Sequence, residues 1–154
     1  MPHRILFVCL GNICRSPAAE GAFQKLVTSL GRSHEFVLDS AGTSGEHDGE
    51  LPHSETRATA KKRGISLTHR SRRVTREDFD AFDWLVAMDA SNERELLRLA
   101  SSEKARVIRF RRYEEGADSL DVPDPWYTGE FERVMDICER ASVGLLAAID
   151  ARAI

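Results

Sequence analysis

VCLGNICRSP, residues 8–17, connects a run of strand-forming residues to the start of a helix and contains both a cysteine and an arginine. The preceding residues, from Arg4 to Cys9, form a short apolar run that ends at a glycine-containing loop, a pattern typical of a buried parallel strand. Pro17 follows Ser16, and together they predict a helix to about Leu30 with Ser16 as its N-cap and Pro17 at its first position. A strand followed by a helix is half of a βαβ unit.

The rest of the chain continues the alternation of strands and helices. Strands are predicted over residues 35–40, 84–88 and 106–110, and helices over residues 54–63, 91–100 and from about 130 to near the C-terminus. This order predicts an α/β fold, a three-layer sandwich in which helices cover both faces of a parallel sheet. The length of 154 residues, without a repeat or linker, predicts a single domain over residues 1–154.

Composition restricts the classes of function. The formal net charge of -3 gives no general attraction to nucleic acid. The apolar run from Ile5 to Leu10 is too short for a signal peptide or a membrane span, so we expect no membrane association. Three cysteines, an odd number without the spacing of a secreted scaffold, favour free thiols and a cytoplasmic location. Cys138 lies in a helical pattern and is predicted to be a core residue.

The spacing of Cys9 and Arg15 is typical of a phosphate-binding loop. A loop from Leu10 to Ser16 can curl so that its backbone N–H groups point at an anion, above the positive end of the following helix. Arg15 can donate to two phosphate oxygens, and Cys9 is then placed to attack phosphorus. Because the same donors stabilise a thiolate, we predict a cysteinyl-phosphate intermediate. The alternative is a plain turn with a buried cysteine.

Three other loop residues have separate roles in this prediction. Gly11 allows the backbone to approach closely, and Asn12 tolerates left-handed geometry while its amide holds neighbouring loop residues. Ser16, besides its predicted capping role, offers a hydroxyl near Cys9 that helps the thiolate to leave when the intermediate is hydrolysed.

Asp124 is the predicted proton donor to the leaving phenolate. It lies between two prolines in VPDPWY, residues 122–127, which fix the backbone and aim the carboxyl group. The alternative is a solvated turn aspartate. Trp126 and Tyr127 are candidates for an aromatic wall beside the substrate ring, with core packing as the alternative.

With these residues the sequence resembles the low molecular weight protein tyrosine phosphatases from Ile5 to about Ala147. The motifs that carry the resemblance are residues 7–17, residues 39–43 (DSAGT), residues 88–92 (MDASN) and residues 124–127 (DPWY). The resemblance implies a four-stranded parallel sheet in the order 2-1-3-4, with Cys9 as nucleophile, Arg15 as phosphate ligand and Asp124 as general acid and base. It also implies phosphotyrosine-containing proteins as substrates, inorganic phosphate as product, and neither metal nor cofactor. The residues implied to hold the loop by hydrogen bonds are Asn12, Ser16, Ser40 and His69.

The resemblance also bears on redox control and on related activities. Cys14 matches the position that forms a reversible disulfide with the nucleophile in similar enzymes. Ile13 replaces the threonine of similar protein arginine phosphatases, which favours phosphotyrosine over phosphoarginine. Arsenate reductases share this loop but need further redox cysteines, and the position of Cys138 does not suit that relay.

Glu46 and His47 are the main departure from the family pattern. Similar enzymes usually carry Trp or Tyr at the position of Glu46, where it forms the wall of the cleft opposite Trp126 and Tyr127. A carboxylate there could repel acidic phosphopeptides. Nearby arginines at positions 70, 72 and 73 could offset it, although such a charge run is more typical of a solvated surface.

A phosphate-binding module without turnover is the competing class of function. The presence of Cys9, Arg15 and Asp124 in one chain favours the enzyme. The sequence leaves open the physiological substrate, the oligomeric state, and whether Tyr113 or Tyr127 is phosphorylated.

Overall fold

The computed structural model describes residues 1–100 and 105–154, which contain four β-strands and six α-helices. The strands are β1 (His3–Cys9), β2 (Phe36–Gly42), β3 (Trp84–Ala87) and β4 (Arg106–Arg109). The helices are α1 (Arg15–Ser29), α2 (Ser54–Lys62), α3 (Asp78–Ala81), α4 (Ala90–Leu99), α5 (Pro125–Thr128) and α6 (Phe131–Asp150). Short 3₁₀ turns cover Ser33–Glu35 and Phe110–Tyr113.

The four strands form one parallel sheet in the order β2-β1-β3-β4, which confirms the predicted topology. The central strand β1 pairs with β2 on one side and β3 on the other, so that Phe7 lies between Ser40 and Val86. The chain therefore leaves β1 at the point where the strand order reverses. Open parallel sheets bind ligands at this place.

Helices cover both faces of the sheet, as predicted. Alternate side chains of β1 point to opposite faces because the side chains of a strand repeat every two residues. Phe7 and Cys9 join the core formed with α1 and α6, whereas Leu6 and Val8 join the core formed with α3 and α4. A strand buried on both faces needs apolar residues throughout, which explains the continuous apolar run at the start of the sequence.

The long helix α6 buries an apolar stripe, and Cys138 on that stripe is fully buried, as predicted. Gly144 brings α6 close to the turn over residues 110–113, because a Cβ atom at that position would lie 1.7 Å from the carbonyl oxygen of Tyr113. Of the helices in the described residues, none is long and apolar enough to cross a membrane.

The start of α1 differs from the prediction. The helix begins at Arg15, with Cys14 at the N-cap position and no side-chain capping hydrogen bond. Ser16 is therefore inside the first turn, and its predicted N-cap role is wrong, because its hydroxyl is turned toward Cys9 instead. The short helices α3 and α5 were not predicted, since four residues are too few to show a helical period.

Candidate active site

The loop between β1 and α1 places the Cys9 thiol among hydrogen-bond donors. Cys9 is 2% exposed. Its Sγ atom accepts the backbone N–H of Asn12 at 3.2 Å and lies 3.0 Å from the Ser16 hydroxyl oxygen. Both contacts lie at the N-terminus of α1, where the helix dipole favours negative charge. The arrangement suits a thiolate or a bound anion.

Asn12 holds the loop in shape. Its φ of 55° lies in the left-handed region, which asparagine tolerates better than most residues. Its side chain is fully buried and its amide nitrogen donates to Ser16 and Ser40 at 2.8 and 3.0 Å. Its amide oxygen contacts Nε2 of His69 at 2.9 Å and accepts the N–H of Arg72 at 3.0 Å. The structure thus brings together the four residues expected to form the supporting network.

Hydrogen bonds from three other segments of the chain fix the backbone of the loop. The N–H groups of Thr43 and Ser44 donate to the carbonyl oxygens of Cys9 and Leu10, each at 2.9 Å. The N–H of His53 donates to Ile13 at 2.8 Å, and the Ser71 hydroxyl donates to Gly11 at 3.0 Å, in both cases to the carbonyl oxygen. These bonds occupy loop carbonyl oxygens and so leave N–H groups to face an anion.

Gly42, at the end of β2, is required for this close packing. A Cβ atom there would lie 2.7 Å from the carbonyl oxygen of Leu10 and 3.2 Å from the backbone nitrogen of Asn12. Any side chain at this position would push against the loop.

Arg15 is 3% exposed and is held by acidic groups. Its Nη1 atom donates to Asp89 at 2.6 Å and to the carbonyl oxygen of Val122 at 3.3 Å, and Nη2 donates to Asp124 at 3.4 Å. Burial lowers the pKa of Arg15, but the negative charges of Cys9, Asp89 and Asp124 outweigh burial and raise this pKa above its ordinary value. The guanidinium is therefore always charged beside the Cys9 sulfur.

Asp124 is positioned by the turn that starts α5. Its Oδ1 atom accepts the N–H of Trp126 at 3.1 Å as the N-cap of the helix, with Pro125 at the first helical position. Its Oδ2 atom is the partner of Arg15. Both carboxylate oxygens therefore have partners, and Asp124 lines the cleft beside Arg15.

A cleft of about 180 Å³ opens over the loop. The residues that line it are Cys9, Leu10, Gly11, Ile13, Cys14, Arg15, Glu46, His47, Asp124, Trp126 and Tyr127. Trp126 and Tyr127 are 55% and 78% exposed, so the structure places them at the cleft and not in the core.

His47 lines the cleft together with Trp126 and Tyr127. A Cβ atom on Gly11 would lie 3.0 Å from Cδ2 of His47, so the imidazole covers the phosphate loop directly. The His47 and Trp126 rings have centroids 5.8 Å apart and are tilted by 51°. On the other side of Trp126 lies His53, whose ring meets it edge-on at 5.7 Å. The sequence did not indicate that His53 takes part in this wall.

Behind the loop, His69 is surrounded by carboxylates. Its Nδ1 atom lies 3.3 Å from Asp39, and Glu20 accepts the Ser40 hydroxyl at 2.7 Å. Burial raises the pKa of Glu20, although the hydrogen bond from Ser40 acts in the opposite direction. One ligand atom from each of Glu20, Asp39 and His69 lies within 4.8 Å of the others, a proximity that the spacing in the sequence did not predict. Hydrogen bonds to Asn12 and Ser40 already engage this cluster.

Cys14 belongs to the same loop as Cys9 but lies in a different environment. Burial raises the pKa of the Cys14 thiol to about 12. At neutral pH this thiol stays protonated. All three cysteines are unpaired and buried.

Several site residues were missed from the sequence. The sequence assigned no role to Glu20, or to Asp89 and Gly42, which lie within the motifs at residues 88–92 and 39–43. Arg72 was expected on a solvated surface, but its guanidinium donates to Asp39 and Asp78 at 3.0 Å. The signal for Asp89 was its place before a helix, where an aspartate commonly caps the N-terminus.

Comparison with known proteins assigns a family to this geometry. Residues 4–153 match the family described as Low molecular weight phosphotyrosine protein phosphatase. The chain is 44% identical over 156 residues to the low molecular weight protein-tyrosine-phosphatase of Streptomyces coelicolor, with 97% of this chain and 94% of that one covered.

Solved structures agree. The protein YfkJ from Bacillus subtilis superposes with a TM-score of 0.94 at 40% identity, covering 100% of this chain and 98% of that chain. A protein tyrosine phosphatase from Entamoeba histolytica, crystallised with Hepes in the active site, superposes with a TM-score of 0.94 at 36% identity over 99% of each chain.

Proposed function

Because the chain belongs to the low molecular weight phosphotyrosine protein phosphatase family, we propose that it hydrolyses phosphotyrosine in proteins through a cysteinyl-phosphate intermediate on Cys9. The observation that carries the proposal is the position of the Cys9 sulfur, which contacts the Asn12 N–H and the Ser16 hydroxyl at the N-terminus of α1. These donors and the nearby Arg15 stabilise negative charge on sulfur and on a phosphate above it.

In the first step the Cys9 thiolate attacks phosphorus and the bond from phosphorus to the phenolic oxygen breaks. The N–H groups of residues 10–16 and the Arg15 guanidinium donate hydrogen bonds to the phosphoryl oxygens. These donors stabilise the negative charge on the oxygens in the transition state. Asp124 gives its proton to the leaving phenolate. A phosphate in the loop competes with Asp124 for Nη2 of Arg15, and their 3.4 Å contact is long enough to yield.

In the second step a water molecule attacks the phosphorus of phosphocysteine. Asp124, now a carboxylate, takes a proton from this water, and the sulfur–phosphorus bond breaks. The departing thiolate regains the hydrogen bonds of Asn12 and Ser16, and inorganic phosphate leaves. No step in this scheme requires a metal ion or a cofactor.

Aryl phosphates are the favoured substrate class because Cys9 lies at the base of a cleft whose exposed wall is aromatic. We infer that a phosphoserine side chain is too short to bring its phosphorus to Cys9, whereas a tyrosine ring is long enough to cross a cleft lined by His47, Trp126 and Tyr127. Ile13 on the cleft floor supports phosphotyrosine over phosphoarginine.

We also place this reaction in the cytoplasm. The mechanism needs a reduced Cys9, and a reducing compartment keeps such a thiol free. The unpaired state of Cys9, Cys14 and Cys138 supports this location.

The proposal is tested by p-nitrophenyl phosphate hydrolysis with EDTA present. We expect robust turnover by the native chain, none by Cys9→Ser, and a loss of about 10²- to 10⁴-fold for Asp124→Asn with a phosphotyrosine peptide. Because asparagine can still cap α5, the loss of activity measures the contribution of the proton that Asp124 donates. The loss should be smaller with p-nitrophenyl phosphate, because nitrophenolate leaves more easily without a proton.

Asp121→Asn is the matched control, since Asp121 belongs to the same loop but pairs with Arg109 at 2.9 Å. We expect this variant to keep native turnover within a few-fold. Phosphate binding without native turnover under reducing conditions would contradict the proposal and favour a binding module. Turnover that EDTA abolishes would contradict the metal-free mechanism.

A further inference from the structure

Glu46 is an exposed carboxylate at the mouth of the cleft. It lines the same cleft as Cys9 and Arg15, which lie buried at its base. Its backbone N–H donates to the Ser44 hydroxyl at 3.1 Å, which fixes the turn that carries it. Within residues 1–100 and 105–154, no cationic side chain forms an ion pair with Glu46.

The other polar side chains around the cleft that can carry a charge already have hydrogen-bond partners. Arg15 is shared by Asp89 and Asp124, and Nδ1 of His47 lies 2.8 Å from Glu50. Once the phosphate of a substrate occupies the loop, Arg15 serves that phosphate. Glu46 is then the uncompensated charge at the rim.

Among the described residues, the arginines at positions 70, 72 and 73 form no ion pair with Glu46, although the Arg73 side chain lies beside Gly45 on the same turn. Arg72 is engaged by Asp39 and Asp78, and Arg70 donates to the carbonyl oxygen of Gly49 at 2.9 Å. In the described part of the chain, Arg15 is the one arginine that lines the cleft.

The opposite wall also suits a cation. Trp126 and Tyr127 are both largely exposed, and the faces of aromatic rings attract ammonium and guanidinium groups. A residue next to phosphotyrosine in a peptide would lie at this rim, between a free carboxylate and two aromatic rings. A lysine or arginine at that place is attracted by the Glu46 carboxylate and by the aromatic rings. A glutamate or aspartate is repelled by Glu46.

We propose that Glu46 makes this protein select phosphotyrosine that has lysine or arginine as a sequence neighbour. The proposal rests on the proposed function and specifies its substrate class. Exposed ion pairs are weak, so the expected selectivity is modest, about two- to fivefold in kcat/KM for one such pair.

The test compares two phosphotyrosine peptides that differ only in the flanking residues, lysine in one and glutamate in the other. The measured quantity is the ratio of their kcat/KM values within each protein variant, so that a change in overall activity cancels. We expect a ratio above one for the native chain, a two- to fivefold lower ratio for Glu46→Gln, and a still lower ratio for Glu46→Lys. Higher salt should bring the native ratio closer to one.

Asp48→Asn is the matched control. Asp48 is an exposed acid on the same turn, but its carboxylate lies against Gly45 and does not line the cleft. The ratio should stay at the native value in this variant. An equal fall for Asp48→Asn would overturn the proposal, because the selectivity would then come from the overall charge of -3.

A native ratio of one, or an unchanged ratio in Glu46→Gln, would also overturn the proposal. The hydrolysis of p-nitrophenyl phosphate, which has no flanking residues, separates this failure from failure of the proposed function. Turnover of that compound by the native chain with a peptide ratio of one refutes the role of Glu46 alone. No turnover of any of the three substrates refutes both.

Discussion

Nη1 of Arg15 donates a 2.6 Å hydrogen bond to Oδ2 of Asp89, while Oδ1 of the same carboxylate accepts the backbone N–H of Asn92 at 2.8 Å. One side chain therefore caps α4 and orients the arginine that we propose binds the phosphate. The two duties can be separated, because asparagine caps a helix about as well as aspartate but has no charge.

We predict that Asp89→Asn lowers kcat/KM for aryl phosphates by about 10- to 100-fold, the effect of losing a charged hydrogen bond to Arg15. Asp89→Ala should lose similar activity and, in addition, be about 1 kcal/mol less stable than Asp89→Asn, because it lacks the cap. Steady-state kinetics and urea denaturation measure the two effects. Full activity in Asp89→Asn would show that the charge is not needed.

Removal of the Asn12 side chain should weaken both the loop and the fold. Asn12→Gly tolerates the φ of 55° but loses the hydrogen bonds to Ser16, Ser40, His69 and Arg72. We expect the free energy of unfolding to fall by about 2–4 kcal/mol and inhibition by inorganic phosphate to weaken. Ser40→Ala removes one hydrogen-bond partner of Asn12 and should lower the free energy of unfolding by about 1 kcal/mol. Native stability in Asn12→Gly would be inconsistent with a supporting role for the network.

Alkylation should distinguish the cysteines of the loop. Because burial raises the pKa of Cys14 to about 12, roughly one molecule in ten thousand carries a Cys14 thiolate at pH 8. Burial likewise raises the pKa of Cys138. Iodoacetamide at pH 7–8 should therefore modify Cys9 and spare the other two, with loss of activity. Peptide mass spectrometry checks this, and alkylation of Cys14 at the same rate as Cys9 would contradict it.

Peroxide should inactivate the enzyme in a way that thiols reverse. The family resemblance implies that oxidised Cys9 condenses with Cys14 to a disulfide, which shields the nucleophile from irreversible oxidation. In the Cys14→Ala variant we expect the same inactivation but poorer recovery with dithiothreitol. The measurement is the fraction of activity regained after a timed exposure. Equal recovery in both proteins would count against this protective role.

Glu20 should make stability depend on pH. Its pKa is raised in the folded protein, so the folded state holds the proton more tightly than the unfolded state, whose pKa is about 4.3. The stabilisation of the folded state by protonated Glu20 is present in full below pH 4.3 and is lost as the pH rises through the pKa of Glu20 in the folded protein. Relative to Glu20→Gln, the native chain should therefore lose stability as the pH rises above about 4.3. Urea denaturation across this range measures the free energy of unfolding of both proteins. A relative gain in the stability of the native chain with rising pH would contradict a raised pKa of Glu20.

The fold was predictable because its signals are local. The apolar run of β1 and the helical spacing of apolar residues in α6 are both visible within short stretches of sequence. The spacing of Cys9 and Arg15 likewise defines a loop of only a few residues. The four-stranded order came from the family resemblance, since periodicity alone does not order strands.

The supporting contacts of the site were less predictable, because they join distant parts of the chain. The position of His47 over Gly11, and the engagement of Arg72 by Asp39 and Asp78, depend on how the loops after β2 and α2 meet. Ser16 illustrates the opposite error. A local capping pattern was present, but the helix starts at Arg15 and the Ser16 hydroxyl contacts the Cys9 sulfur instead of capping the helix.

Arg15 and Asp124 meet across 109 residues of sequence. During synthesis on the ribosome the cysteine loop emerges well before Asp124 and the whole of α6. A stalled or truncated chain therefore contains the nucleophile without its proton donor and without the helix that covers that face of β1. Catalytic activity in a translation reaction should appear only as full-length chains are released.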